Sequence, residues 1–347
     1  MRNRLLKLCL GGFLFGIFCS TVWVATALTE PLEGLSEDKL LQVAAGDSLT
    51  RVLIRASEEN WLPNPRLVSL WARFNNIDRS MKAGEYRVPA GSNALDLLAL
   101  LEEGEVITYR VTLPEGITLE EAINRLNATP NLVSTLSGPL DPSLLAITEM
   151  AGSAEGWFLP ETYQFIAGNS DLDILKRAHD AMQQALELAW NERAPVVAVK
   201  SPYEALILAS IIERETSVGS ERKRISGVFS RRLQRGMRLQ TDPTVIYGLG
   251  NAYDGNLTRA HLRDESNDWN TYQIFGLPPT PIALPGLASI EAALHPDQSD
   301  SLYFVGRGDG HHAFADTLDQ HNENVRRYQL DRRADYRSTP ASNKDSP

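Results

Sequence analysis

The chain opens on its least polar stretch. From Leu8 to Leu28 no side chain is charged, and the run matches the roughly 20 residues that a helix needs to cross a bilayer core. A membrane-spanning helix is predicted over 8–28. The polar stretch 29–39 reads as a linker. A pattern then recurs three times: strand-like residues, a glycine turn, a polar cap and a helix-period apolar stretch. The copies start at Val43-Ala-Ala-Gly46-Asp-Ser48-Leu49, Val88-Pro-Ala-Gly91-Ser92 and Val111-Thr-Leu-Pro-Glu-Gly116-Ile-Thr118. Thr118 and Glu121 have the spacing of a capping box. From Leu113 on, helices and short strands alternate. A long helical pattern covers 173–192, and a strongly apolar helix covers 202–217. The polar stretch 331–347 carries two prolines and reads as a disordered tail.

The charges around the apolar run suggest its orientation. Arg2, Arg4 and Lys7 precede it, and Glu30 is the first charge beyond it. The positive-inside rule puts the N-terminus in the cytoplasm and the body outside. Ala25-Thr26-Ala27 has the small-x-small form of a signal cleavage site, so cleavage after Ala27 is the rival reading. Both readings export the body. Export argues against a soluble enzyme using ATP or NADH, and the chain has no P-loop or Rossmann glycine pattern.

Composition narrows the chemistry. With 34 Lys and Arg against 44 Asp and Glu, the net charge is −10, which excludes a general nucleic-acid binder. The two cysteines, Cys9 and Cys19, both lie in the apolar run. A disulfide scaffold, a zinc ribbon, an iron–sulfur cluster and a thiol nucleophile are therefore excluded from the body. The six histidines show no H-E-x-x-H or similar ligand spacing, and the adjacent His311 and His312 suit a loop. No metal and no cofactor are expected. There is also no G-x-S-x-G.

The helix 202–217 carries the most pointed chemistry. Pro202 suits a first helical turn. From Ala205 to Ile212 there is no charge and apolar residues surround the axis, so the helix should be buried. It then presents Glu213 and Glu215. Two residues on a helix are about 200° apart, so only one carboxylate can face a given cleft. Burial at that point would raise a carboxyl pKa and keep a proton available for a leaving group. Spacing alone does not choose between the two, and arginines nearby could pair with both. Other segments have the look of a site. Glu155-Gly-Trp157-Phe-Leu-Pro160-Glu161-Thr162-Tyr163 mixes carboxylates with rings that could stack on sugars. Gln240-Thr241-Asp242 and Asn270-Thr271-Tyr272 set polar groups among apolar ones, and proline-dense loops follow at 276–286.

Two resemblances give these features a direction. The first repeat, V-x-x-G-D-S-L, resembles the start of a LysM module, a small glycan-binding fold of cell-wall proteins. Over nearly the whole chain after the apolar run, the sequence resembles the YceG-like endolytic murein transglycosylases. The stretches that carry this are EGWFLPETY (155–163), LASIIERET (208–216), RLQTDPTVIYGLG (238–250), NTYQIFGLPPTPIALPG (270–286) and AALHP with YFVGRGDGHHAF (292–314). The resemblance implies an α+β protein: an N-terminal transmembrane helix, a small LysM-like subdomain and a mixed α/β catalytic domain. The corresponding boundaries are 1–28, 29–39 for the linker, 40–108, 109–330 and the tail 331–347. The family's essential acid is the second glutamate of E-x-E-T, which falls on Glu215. Glu213, Glu155, Trp157, Glu161, Tyr163, Gln240, Thr241, Asp242, Asn270, Thr271, Tyr272 and His312 are the implied supporting or substrate-binding residues. Arg214 stands where Lys is frequent, and Ser217 and Gly219 stand where Ala is frequent.

The implied activity is cleavage of the MurNAc-β-1,4-GlcNAc bond within nascent glycan strands, leaving 1,6-anhydro ends and limiting strand elongation. The implied setting is the inner membrane, single-pass through 8–28, with the catalytic part periplasmic. Peptidoglycan strands are the expected partner, peptidoglycan synthases a further one, and nucleic acid is not. Two rivals stay open. A hydrolytic muramidase would need a second carboxylate, from Asp242, Glu155 or Glu161. A non-catalytic membrane-anchored scaffold would only bind glycan.

Overall fold

The computed structural model describes residues 2–77, 81–149 and 152–330, with side chains from residue 10 onward; the expected tail 331–347 lies outside them. The first helix, α1, runs unbroken over Arg2–Thr29. Among the described residues it is the one helix long and apolar enough to cross a bilayer, over Leu10–Thr29. Phe13, Phe15, Phe18 and Trp23 on it are exposed.

The chain then forms two compact units. One holds the residues up to Arg110 with Pro130–Val133 and Gln164–Asn169; the other holds Val111–Thr129, Ser134–Tyr163 and the residues from Ser170 on. In the first unit follow β1 (Lys39–Val43), α2 (Leu49–Glu58), α3 (Pro65–Phe74), β2 (Gly84–Val88) and α4 (Ala94–Glu103). β1 and β2 pair antiparallel from Lys39 opposite Val88 to Val43 opposite Gly84. Trp61, Tyr86, Leu53, Leu97 and Leu101 fill the core, each worth about 2 kcal/mol or more in apolar surface removed from water. The phenol of Tyr86 stays satisfied by donating to the Lys82 carbonyl at 2.9 Å. The stretch 29–39 is stitched to this unit: Leu32 and Leu35 are buried, the Leu32 N–H donates to Ser92 and the Gly91 N–H to Leu35.

Next come β3 (Thr108–Thr112), α5 (Leu119–Asn127), α6 (Pro142–Thr148), β4 (Thr162–Ile166), α7 (Asp171–Asn191) and α8 (Pro202–Glu215). They are followed by α9 (Arg222–Gln234), α10 (Asp242–Leu249), α11 (Arg259–Leu262), α12 (Leu287–Leu294), β5 (Tyr303–Gly306), β6 (His312–Ala315) and α13 (Leu318–Val325). β3 pairs with β4 and β5 with β6, each as a two-stranded sheet. Among the described residues the fold thus mixes helix and sheet, and every sheet has two strands.

The threefold pattern read from sequence is present as backbone. Gly46, Gly91 and Gly116 have φ of 81°, 75° and 78°, a left-handed region open to glycine without steric cost. Each sits between a strand and a capped helix: Ser48 accepts from Arg51 at the start of α2, while Asn93 with Asp96 and Thr118 with Glu121 close capping boxes on α4 and α5.

The second unit is built on α8. Residues 205–212 are buried on all sides and pack against α7, α9, α10 and α12. Ser210 inside this apolar run is satisfied twice: it donates to the Ile207 carbonyl at 2.7 Å and accepts from the Ile282 N–H at 3.0 Å. The helix ends two residues short of Ser217. Thr216 is extended at φ −146°, and its hydroxyl accepts from the Val218 N–H, a local bond that competes with another helical turn.

Candidate active site

The two glutamates at the end of α8 meet opposite surroundings. Glu213 is saturated. Arg222 approaches its Oε1 at 3.2 Å and the Gly286 N–H donates to its Oε2 at 3.0 Å. Its side chain is only 5% exposed, and Arg222 also faces Glu115 at 3.5 Å. Glu215 is half-buried. Its Oε2 accepts one short bond, 2.6 Å, from the Thr241 hydroxyl. Burial raises its pKa above the usual carboxylate range; the Thr241 bond and the charge of His312 pull it down, and Asp242 pushes it up.

Thr241 is held in place by a threonine cluster. Its N–H donates to Thr271 Oγ1 at 3.1 Å, and its carbonyl accepts from Thr244 Oγ1 at 2.8 Å. Thr244 and Thr271 share a hydrogen bond at 2.9 Å. Gln240, exposed and at φ 53°, donates its N–H to the Thr271 carbonyl. The buried Arg232 fixes the approach to this loop, reaching the carbonyls of Arg238, Leu239 and Leu302. Tyr272 donates its hydroxyl to Asp242 at 2.7 Å. Its own pKa is raised by burial first, then by the charges of Asp242 and Glu215. Asn270 is completely buried, and its amide ties down the carbonyls of His261, Leu262 and Asp264.

His312, at the start of β6, acts on Glu215 through its charge. Its Nδ1 lies 2.8 Å from Glu221 Oε2, and its backbone N–H donates to Glu221 Oε1 at 3.1 Å. A carboxylate only accepts, so Nδ1 carries the hydrogen. Glu221, which also reaches His311, was not a sequence candidate. It ends the turn Gly219–Glu221 and matches no motif; only the fold brings it to residues 90 positions away. Arg232 likewise matches no motif, and only the fold brings it to the Leu302 carbonyl, 70 positions away.

The structure therefore gathers Glu215, Thr241, Asp242, Thr271, Tyr272 and His312, with Gln240 and Asn270 supporting them. The segment 155–163 makes a different set of contacts. Glu155 is buried and accepts the Leu119 N–H at the start of α5 with both oxygens, at 3.0 and 3.1 Å, and the Tyr247 hydroxyl at 3.3 Å. Burial pushes its pKa up to about 7 against these bonds. Trp157 stacks on Tyr203 with ring centroids 5.8 Å apart. Tyr163 donates to the Leu159 carbonyl at 2.6 Å. Glu161 is exposed, and its carbonyl accepts from Leu113. Among the described residues no group of three His, Cys, Asp or Glu side chains could hold a metal ion.

The chain as a whole is similar to known proteins. The chain is 28% identical over 340 residues to the endolytic murein transglycosylase of Bacillus subtilis, covering 92% of this chain and 90% of that one. It is 27% identical over 293 residues to a protein of the same name from Streptococcus pneumoniae, covering 75% of this chain and 52% of that one. It thus spans about half the length of the pneumococcal protein. A crystal structure of a YceG-like protein from Listeria monocytogenes matches with a TM-score of 0.52 at 27% identity, covering 83% of this chain and 99% of that one. The signature of the YceG-like family covers residues 41–327, and the chain belongs to that family.

Proposed function

We propose that this protein is a membrane-anchored lytic transglycosylase of peptidoglycan with Glu215 as its single acid and base. The observation that carries the reading is the half-buried Glu215 carboxyl with a raised pKa and one oxygen engaged by Thr241. With Oε2 accepting from Thr241, the proton sits on Oε1. It passes to the β-1,4 oxygen between MurNAc and GlcNAc as the C1–O bond breaks. The carboxylate left behind takes the proton of the MurNAc C6 hydroxyl, whose oxygen closes on C1 to form the 1,6-anhydro ring. No water is consumed, and Glu215 ends protonated as it began. Such general acid–base catalysis contributes roughly 10²–10⁴-fold to rate. The threonine cluster holds the carboxyl in one place, so little reorganisation accompanies the reaction. The charges of His312, held by Glu221, and of Asp242, which accepts from Tyr272, act on the Glu215 carboxyl in opposite directions.

The names of the relatives support this substrate and reaction class. We read the cut as endolytic, within nascent strands, and so as a limit on their elongation. α1 serves as the single membrane span, with the N-terminus cytoplasmic and the body periplasmic. The strand–helix–helix–strand order of β1, α2, α3 and β2, with the strands antiparallel, supports a LysM-like role in glycan binding for residues 40–108. Residues 109–330 form the catalytic domain. Peptidoglycan synthases are natural partners for such an enzyme.

One observation favours a second reading. Asp242 lies close enough to Glu215 for its charge to raise that pKa, and it could activate a water in a hydrolytic muramidase. Products decide between the two. The full-length protein is incubated with uncrosslinked glycan strands and the soluble fragments are weighed by mass spectrometry, with Glu215→Gln alongside. Anhydro ends from the wild type alone are expected. Reducing ends would make the protein a hydrolase, and intact strands would leave a binding scaffold.

A further inference from the structure

The helix α3 turns a face outward that a water-exposed helix would not. Val68, Ser69 and Ala72 are buried against the unit, while Leu70, Trp71 and Phe74 are 53%, 39% and 79% exposed. At 100° per residue these three fall within roughly 100° of the helix circumference. Arg66 and Arg73 lie along the edge of that face, both exposed, and α3 holds no acidic residue. Neither arginine has an ion-pair partner among the described residues. An apolar face with Trp and Phe, edged by cations, is the composition of a helix lying in a membrane interface.

What lies beside this face points to the same occupant. Trp71 lines a groove of about 870 Å³ whose opposite wall is α1, through Phe13, Gly16, Ile17 and Ser20. The end of α1 enters the core of the same unit: Leu28 is buried there and Val24 packs against it. No spacer separates the apolar span from the folded unit, because Leu32 and Leu35 are buried immediately after it. If α1 crosses the bilayer, this unit starts at the lipid surface, with Trp71 beside the span.

We propose that α3 is a second membrane contact, with Leu70, Trp71 and Phe74 seated in the outer headgroup region and Arg66 and Arg73 on anionic lipid phosphates. The first unit is then seated on the bilayer as well as tethered to it. This rests on the reading of α1 as a membrane span, and the test separates the two.

The full-length chain, with Cys9→Ser, is placed in nanodiscs of phosphatidylcholine and phosphatidylglycerol. An environment-sensitive fluorophore is attached at Cys19, or, with Cys19→Ser, at Phe74→Cys or at Val196→Cys, an exposed position on the other unit. Spin-labelled lipids then serve as quenchers. The expected result is loss of most emission at 19 to acyl-chain quenchers and at 74 to headgroup quenchers, with a smaller loss at 196. Quenching at 19 but not at 74 overturns the α3 contact and leaves the anchor standing. No quenching at 19 overturns the anchor and the α3 contact together. Equal quenching at 74 and 196 removes any role particular to α3. A label at 74 that is shielded from aqueous iodide yet untouched by lipid quenchers places protein on this face, and one that responds to soluble glycan strands places sugar there; either result overturns the proposal.

Discussion

Glu155 and Glu215 are two recessed carboxyls in one folded unit, and burial raises the pKa of both. Their bonding separates them. Glu155 spends both oxygens on the Leu119 N–H and one of them again on Tyr247, so it acts as a remote cap that joins α5 to α10. Glu215 accepts one side-chain hydrogen bond, on Oε2, and among the described residues its other oxygen accepts none. A raised pKa reports burial, and spare hydrogen-bonding capacity is what distinguishes a group able to do chemistry from one that holds the fold.

The sharpest way to break this comparison is Glu215→Gln. Its turnover should fall about 10³-fold, within the range for general acid–base groups, with an unchanged circular dichroism spectrum. Activity within tenfold of wild type would remove Glu215 from the mechanism. The effect of Glu155 should appear in stability. Its unfolded pKa lies near 4.5 and its folded value near 7, so the folded state holds the extra proton between those values. Stability from this group is complete below pH 4.5 and is lost as pH rises towards 7, by about 3 kcal/mol at 1.36 kcal/mol per unit. Denaturant titrations at pH 5 and pH 7 should show about 2 kcal/mol of that fall in the wild type and a flatter profile in Glu155→Gln.

Glu213→Gln comes next. It takes a charge from Arg222 but leaves that arginine Glu115, and it should cost about 2 kcal/mol in stability with less than a tenfold change in rate. A rate loss as large as that of Glu215→Gln would make Glu213 a second reacting group. The smallest effect belongs to Thr241→Val. The Thr241 bond favours the ionised carboxylate, so without it the Glu215 pKa rises, and the alkaline limb of kcat/KM should move to higher pH. A shift to lower pH would mean that Thr241 serves the protonated form instead.

The parts of the fold legible in sequence were those fixed by local chemistry. The glycine turns at 46, 91 and 116 need only a left-handed residue between a strand and a cap. The start of α7 is also written locally, since Ser170 and Asp173 close a capping box, which places its first residue at Asp171 rather than 173. The aromatic segment 155–163 shows where such reading leaves alternatives open. Its rings and carboxylates are equally consistent with sugar stacking or with a core, and the partners that decide, Tyr203 and Leu119, lie far away in sequence. The pairing of Glu221 with His312 spans 91 residues and had no local signal at all. The order Glu215, Thr241, Tyr272 contains the site's side chains, but the hydrogen bonds that make Glu213 a strut and leave Glu215 open are tertiary.

The lacing of Gln240 and Thr241 onto Thr271 also has a consequence in time. The amide hydrogens of residues 240 and 241 can exchange with deuterated water only when the loop carrying Thr241 lifts away from the one carrying Thr271. Their exchange rates therefore clock how long the partner of Glu215 stays in place. If local opening is rare, those two amides keep their hydrogens as long as the buried turns of α8, and the Thr241–Glu215 contact persists between openings.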